Sequence, residues 1–455
     1  MSDEVSATQQ GTAAGTARSG SAGASRPTAA VVGSGVAGLT AAHLLQKRYD
    51  VTLFEGDGRL GGHAHTHDLP TPDDRLLAID SGFIVHNEQT YPNLLRLFAE
   101  LGVTTQPTEM SMSISCEGCS LEYAGARGLT GLFAQPRQMA NPRYLRMLAE
   151  VTRFHRQARR LLDLAAPAHT RGGGGTTQFD GLTLGAFLAL GGYSEYFVRH
   201  FVVPVVSCVW SSAAGLSLQY PAVYLFRFLD SHGMLSITGS PQWRTVTGGS
   251  RTYVERAAKG LTAVQTGAAV TAVTRHGDGV ELTDADGQHH AADVVVVATH
   301  PDQALGLLAD PTAAERATLG AFSSSRNETL LHTDASLLPR ATDARASWNY
   351  RMRACEQEGE PVVVSYWMNR LHDLDEPVDY LVTLNGSDRV APDSVLRRMV
   401  YEHPLYTPES VAAQRRLPEL NTGRTAFAGA WQGWGFHEDG CASGVRAAES
   451  FGLSW

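Results

Sequence analysis

Six consecutive residues constrain this chain more than any others: Gly33-Ser34-Gly35-Val36-Ala37-Gly38, a G-x-G-x-x-G run. The apolar stretch Ala29-Ala30-Val31-Val32 precedes it, and Val36 to Lys47 carries apolar residues at helical spacing. A second short apolar run, Val51-Thr52-Leu53-Phe54, ends on Glu55. Strand, glycine turn, helix and strand in that order predict a β-α-β unit of the dinucleotide-binding type. In such a unit the first glycine permits the tight turn, the second lets backbone approach a pyrophosphate, and the third lets helix and strand pack closely. The amino end of the helix faces the phosphates, and the carboxylate closing the second strand accepts from a ribose.

The segment after Glu55 separates a flavin dinucleotide from a nicotinamide one. Arg59-Leu60-Gly61-Gly62 follows almost at once. Its glycine pair brings a second backbone loop to the pyrophosphate, and Arg59 offsets the phosphate charge. This element resembles the R-x-G-G segment of the flavin-containing amine oxidase superfamily, which also includes phytoene desaturases and protoporphyrinogen oxidases. The resemblance continues in Asp80-Ser81-Gly82-Phe83, similar to a D-x-G segment that lies against the flavin ring. It continues in Gly267-Ala268-Ala269-Val270, where Val270 would meet adenine by its backbone, and in Thr425-Ala426-Phe427-Ala428-Gly429, similar to the strand and glycine at the ribityl chain. The resemblance implies FAD, bound without a covalent link, contacted by Gly33, Gly35, Val36, Ala37, Gly38, Glu55, Arg59, Gly61, Gly62, His63, Gly82, Phe83, Val270, Gly429, Ala430, Glu438 and Asp439. One position departs from it: many superfamily members carry Asp or Glu after the last of these glycines, and this chain has Ala430.

Gly429-Ala430-Trp431 with Gly435-Phe436-His437-Glu438-Asp439-Gly440 is similar to a bacterial subgroup, the predicted NAD/FAD-binding proteins. Ser347-Trp348-Asn349-Tyr350, Tyr366-Trp367-Met368-Asn369-Arg370-Leu371 and Gly248-Gly249-Ser250-Arg251-Thr252-Tyr253 share that likeness. Relatives in the subgroup are often encoded beside cyclopropane-fatty-acid synthases, or fused to them in plants. The association implies a small hydrophobic substrate, an unsaturated or modified fatty-acyl chain, oxidised by hydride transfer to the flavin. A double-bond isomerase, an amine oxidase and a non-catalytic flavoprotein partner of a lipid-modifying methyltransferase are the alternatives.

The fold class expected is α/β: a Rossmann-type FAD-binding domain of the GR2, amine-oxidase-like kind, with an inserted mixed α+β substrate domain. The cofactor domain is expected to be discontinuous, over residues 28–110, 240–305 and 420–455, with the substrate domain over 111–239 and 306–419. Val294-Val295-Val296-Val297 reads as a fully buried strand of a parallel sheet. Residues 1–27, rich in Ala, Gly, Ser and Thr, read as a disordered tail without the basic start and apolar run of a signal peptide. Lys+Arg at 37 against Asp+Glu at 46 argues against nucleic acid as the main partner. No apolar run reaches membrane-spanning length, so the expected location is the cytoplasm, with membrane contact only at the periphery. The five cysteines read as reduced thiols.

Chemistry beyond the cofactor is expected in the turn Gly435–Gly440, ahead of a helix from about Gly440. His437 has an ordinary pKa suited to acid/base work near neutral pH, with Glu438 or Asp439 orienting it or capping the helix. Trp210, Tyr220, Phe226 and Phe228 read as core or as the wall of an apolar tunnel. Arg153, Arg156, Arg159 and Arg160 make a basic helical face, solvated or turned to anionic headgroups. No metal is expected. Cys116-Glu117-Gly118-Cys119 lacks a second pair to complete four ligands, and His63, His65 and His67 read as lining the flavin cleft.

Overall fold

The computed structural model describes residues 26–71, 73–165, 179–236, 240–356, 359 and 361–455. The glycine loop at 172–175 and nearly all of the expected tail lie outside the described residues.

Strand β1 (Thr28–Val32), helix α1 (Val36–Leu45) and strand β2 (Asp50–Glu55) form the opening unit, with the two strands parallel. Helix α2 (Pro92–Leu101) follows, then a hairpin of β3 (Met112–Cys116) and β4 (Leu121–Ala124). A helical lobe comes next, with α3 (Pro142–Ala165), α4 (Val203–Trp210) and α5 (Ala222–Ser231) as its longest members. Helix α6 (Arg251–Lys259), β5 (Ala263–Thr266) and β6 (Val294–Val297) return the chain to the first sheet. Five further strands, β7 (Ser323–His332), β8 (Trp348–Met352), β9 (Val363–Trp367), β10 (Leu381–Leu384) and β11 (Val395–Leu405), build a second sheet. The chain closes with β12 (Thr425–Phe427) and helix α7 (His437–Glu449).

The first sheet runs β5-β2-β1-β6-β12 and is parallel throughout. The four valines of β6 are fully buried between β1 and β12, which suits a strand covered on both faces. Every residue of α1 except His43 is buried, because α1 lies between this sheet and α7. That packing requires glycine: a Cβ on Gly440 would stand 2.6 Å from Val36 Cγ1, and one on Gly444 would strike the Ala37 carbonyl. With Gly440 against Val36, the amino ends of α1 and α7 converge at the carboxyl edge of the sheet. In an open parallel sheet, ligands bind at that edge.

The second sheet has the order β11-β7-β10-β9-β8-β3-β4, antiparallel except for β3 beside β8. It carries the helical lobe on its core cluster. One helix boundary differs from expectation. Helix α7 begins at His437 rather than near Gly440, because the Asp439 carboxylate accepts from the Phe436 amide at 2.9 Å and closes the first turn earlier. No helix among the described residues is long and apolar enough to cross a membrane.

Candidate functional site

At the carboxyl edge of the parallel sheet the three glycines of the fingerprint do three different things. Gly33 holds φ at +100°, and a Cβ there would stand 2.7 Å from the Ala298 carbonyl oxygen beyond β6. A Cβ on Gly38 would strike the Gly33 carbonyl, so this position sets how closely α1 lies on β1. Among the described residues nothing lies within 4 Å of where a Cβ on Gly35 would be, which leaves its backbone open to a ligand. Gly35 is also the N-cap of α1, and no side chain caps the amides of that first turn, Val36 and Ala37 among them. Such an end attracts an anion.

The R-x-G-G loop forms a second wall of the same cradle. Gly62 comes so near that a Cβ on it would be 3.2 Å from Gly35 Cα, and the Gly61 amide donates to Ser34 Oγ at 3.0 Å. Arg59 donates to the Gly62 carbonyl at 2.8 Å and fixes the loop. Glu55 accepts from the Ser34 amide and the Asp57 amide, each at 2.9 Å. The amides of Gly267 and Ala268 donate to the Asp57 and Glu55 carbonyls, each at 2.9 Å, which brings Val270 to the Glu55 end. Gly429 follows β12, and a Cβ on it would strike the Trp431 indole; Ala430 offers no polar side chain there. Open backbone at Gly35, two apposed glycine loops and a carboxylate at the end of β2 fit a dinucleotide, which Gly35, the glycine loops and Glu55 would hold.

A closed circuit of contacts supports the flavin-facing side. The buried Asp80 carboxylate accepts from Thr66 Oγ1 at 2.6 Å and from the Ser250 amide at 3.0 Å, anchoring the amino end of α6. Burial raises the Asp80 pKa against the pull of His372 and its hydrogen bonds. From α6 the Tyr253 hydroxyl reaches His437 Nε2 at 3.0 Å. The His437 ring stacks on Phe83 with centroids 3.6 Å apart and planes at 11°. Phe83 in turn donates its amide to the His63 carbonyl at 2.7 Å, and a Cβ on Gly82 would strike that same carbonyl. Burial, and then the nearby His86, hold the His437 pKa down at about 3. The His437 imidazole is thus clamped between the Tyr253 hydroxyl and the Phe83 ring, contacts that the acid/base expectation did not include.

Glu438 also departs from expectation. Its Oε1 accepts from the Asn93 amide at 3.2 Å and the Asn93 side chain at 2.6 Å, and its Oε2 from the Leu94 amide at 3.0 Å. Both oxygens are spent on the amino end of α2, so Glu438 caps a helix instead of facing a reaction. Asp439 lies against Gly433, accepts from Phe436, and is pushed by burial to a pKa of about 7. The first turn of α7 is therefore built from structural groups, which explains three polar residues in succession.

Aromatic residues from the helical lobe close on the loop before α7. Trp210 Nε1 donates to the Trp434 carbonyl at 2.9 Å, and the Tyr224 hydroxyl to the Gly433 carbonyl at 2.6 Å. Phe228 stacks on Phe436 with centroids 4.7 Å apart. Trp210, Tyr220, Phe226 and Phe228 are buried core, while Trp434 and Phe436 keep part of their surface accessible. Of the basic face, Arg153 lies over the Tyr193 ring at 4.1 Å and Arg159 pairs with Asp230 at 3.5 Å.

A second group of polar residues, singled out only in part by sequence, gathers around His63. His63 is 5.1 Å from Tyr401, 5.5 Å from His403 and 6.3 Å from His300, centroid to centroid. Burial first, then its imidazole neighbours, lower the His63 pKa well below the ordinary value; burial brings His403 to about 4. The Tyr401 hydroxyl meets His65 Nδ1 at 3.0 Å and Ser81 Oγ at 2.7 Å, and Ser81 Oγ meets His67 Nε2 at 2.8 Å. His65, Tyr401, Ser81 and His67 thus form a continuous hydrogen-bonded chain. His300 had one sequence signal, its place just past the buried strand β6, where ligand residues of parallel sheets lie. Tyr401 and His403 had none, since their nearness to His63 is tertiary.

The family model for flavin containing amine oxidoreductases matches residues 36–341. A Mycobacterium tuberculosis protein named "Putative flavin-containing monoamine oxidase AofH" is 30% identical over 290 residues, 62% of this chain and 58% of that one. The chain thus spans 58% of the length of that curated relative. Among solved structures, cyclohexylamine oxidase from Brevibacterium oxydans superposes with a TM-score of 0.67 at 16% identity, covering 94% of this chain and 98% of that one. A CLA-producing fatty acid isomerase from P. acnes superposes with a TM-score of 0.65 at 17% identity, covering 92% and 97%. At these identities the superpositions speak for the fold. The family model carries a flavin, FAD in this family, and the cradle at Gly33, Gly35 and Glu55 fits it. The chain belongs to the flavin-containing amine oxidoreductase family.

Proposed function

We propose that this protein is an FAD-dependent oxidoreductase that dehydrogenates a neutral, hydrophobic substrate, with an unsaturated or modified fatty-acyl chain as the class. The observation that carries the substrate reading is the aromatic wall. Trp434 and Phe436, both partly accessible, pack against Trp210, Tyr224 and Phe228, and the carboxylates that follow them, Glu438 and Asp439, are tied to backbone amides. An ammonium substrate needs an accessible carboxylate or a caged cation site; an acyl chain needs apolar surface. FAD, when bound, supplies the hydride acceptor, and the protein supplies orientation, exclusion of water and proton handling. The helical lobe excludes water from one side. His63 and His403, neutral at physiological pH, offer hydrogen bonds without repelling an apolar ligand. The His65–Tyr401–Ser81–His67 chain offers a hydrogen-bonded path that would relay a proton released on dehydrogenation.

The amine reading has support of its own in the relatives' names, and the isomerase reading in the structural likeness to a fatty acid isomerase. Product analysis separates the three. Incubated aerobically with cis-unsaturated fatty acids, cyclopropane fatty acids and cyclohexylamine, the protein should yield an acyl product lighter by two hydrogens. Unchanged acyl mass with a shifted double bond would replace the proposal by isomerisation. Ketone and ammonia from cyclohexylamine, with acyl chains untouched, would replace it by amine oxidation.

A further inference from the structure

The C-x-x-C pair read as isolated in the sequence has partners in space. Among the described residues, one group of metal-ligating side chains gathers around a common point: Cys116, Cys119, His200 and Cys355, whose ligand atoms all lie within 4.8 Å of one another. Cys116 Sγ is 3.7 Å from Cys355 Sγ, and Cys119 Sγ is 3.5 Å from His200 Nε2. Tetrahedral zinc with Zn–S of ~2.3 Å and Zn–N of ~2.0–2.1 Å implies S···S near ~3.8 Å and S···N near ~3.5 Å. Both observed separations meet those values. From this geometry we infer a Cys3His metal site that binds zinc, four-coordinate and therefore structural rather than catalytic.

The surroundings are those of a ligand set. Cys116 ends β3 and Cys119 sits in the tight turn before β4, and a Cβ on Gly118 between them would come within 2.9 Å of the Cys355 amide nitrogen. His200 Nδ1 lies 3.1 Å from the Tyr196 carbonyl, so that nitrogen carries the proton and Nε2 keeps its lone pair for a metal. His200 is 1% exposed and lies in a π-helical turn, Val198–Val202, a distortion that re-aims side chains at functional positions. Ion pairs hold the residues beside the ligands: Glu117 with Arg389 at 2.6 Å and with Arg351 at 3.0 Å, and Arg199 with Glu356 at 2.7 Å. The site would pin the helical lobe, through His200, to the β3–β4 hairpin and the loop after β8, closing sequence separations of 81 and 239 residues.

The test is metal content in the intact flavoprotein. Purified from zinc-supplemented cells and desalted, the full chain should carry about one zinc per molecule by inductively coupled plasma mass spectrometry. Cys119→Ser with Cys355→Ser should reduce that to background, and Cys208→Ala, outside the cluster, should leave it. Should the double variant fail to fold, exchange of wild-type zinc for Co2+ should give tetrahedral d–d bands with thiolate charge-transfer absorption, to the red and blue of the flavin. Wild-type protein that neither carries zinc nor takes up Co2+ overturns the proposal. So does zinc retained at full stoichiometry by the folded double variant, or a disulfide among these cysteines in freshly isolated protein.

Discussion

Replacing Glu438 by alanine separates a capping carboxylate from a catalytic one. The amino end of α2 is fully accounted for in the native chain. Pro92 has no amide hydrogen, the Asn93 and Leu94 amides go to Glu438, and the Leu95 amide goes to the Tyr91 carbonyl at 3.0 Å. No other side chain caps that end, since Tyr91 at the N-cap offers none. Glu438→Ala therefore leaves two backbone donors and the Asn93 amide without their acceptor. A lost cap costs ~1 kcal/mol and an unsatisfied buried donor ~1–3 kcal/mol, discounted here because water can reach a half-buried position. A loss of about 2 kcal/mol is expected, which for a chain of this size lowers Tm by roughly 2–5 °C. Glu438→Gln keeps a carbonyl acceptor and should recover about half. Thermal melting measures the first effect, and hydrogen exchange should localise faster opening to the first turn of α2. Flavin reduction by substrate, normalised to FAD content, should change less than about threefold. Unchanged Tm and α2 protection with reduction abolished would refute the capping assignment and restore Glu438 to the reaction.

Two further outcomes follow from the same geometry. Glu55→Ala should purify with much less FAD and a lower Tm, because a ligand held only by the folded state stabilises it by mass action; normal FAD occupancy would show that the carboxylate does not meet the cofactor. Asp439 should make stability fall as pH rises: its folded pKa of about 7 lies above the ordinary carboxyl value near ~3.9, so its contribution is full below about pH 4 and lost as pH climbs through about 7. Measured as the Tm difference between wild type and Asp439→Asn, the wild type should lose ground from about pH 4 to about pH 7, and a flat difference would contradict the burial argument.

What the sequence disclosed and what it hid divide along physical lines. Gly33, Gly35 and Gly38 were legible because their roles are local backbone geometry, and Val294–Val297 because a strand buried on both faces needs an unbroken apolar run. In the second sheet the strands at Val363–Trp367 and Leu381–Leu384 were legible as apolar runs, and the others were not. Its edge strand β11, Val-Leu-Arg-Arg-Met-Val-Tyr-Glu-His-Pro-Leu, is mostly exposed or half-buried and carries charge instead of a clean alternation. The start of α7 was misplaced because Phe436 is no capping residue by type, and the cap comes from Asp439 reaching backward. His437 and Glu438 were legible as a polar pair but their partners were not, since only the fold brings Phe83, Tyr253 and the amino end of α2 against them. His200 and Cys355 stand far along the chain from Cys116-x-x-Cys119, and spacing carries no trace of such a meeting.

The central claim, a flavin site that oxidises an apolar substrate, is tested most directly by anaerobic mixing. The protein, purified with its FAD, is combined without oxygen with cis-unsaturated and cyclopropane acyl chains, and the oxidised flavin absorbance is followed in a stopped-flow spectrometer. The account predicts substrate-dependent bleaching by an acyl chain, with colour returning on admission of oxygen or another acceptor. A flavin that stays oxidised with every acyl chain while cyclohexylamine bleaches it would contradict the substrate assignment, and one that no substrate bleaches would contradict the catalytic claim itself.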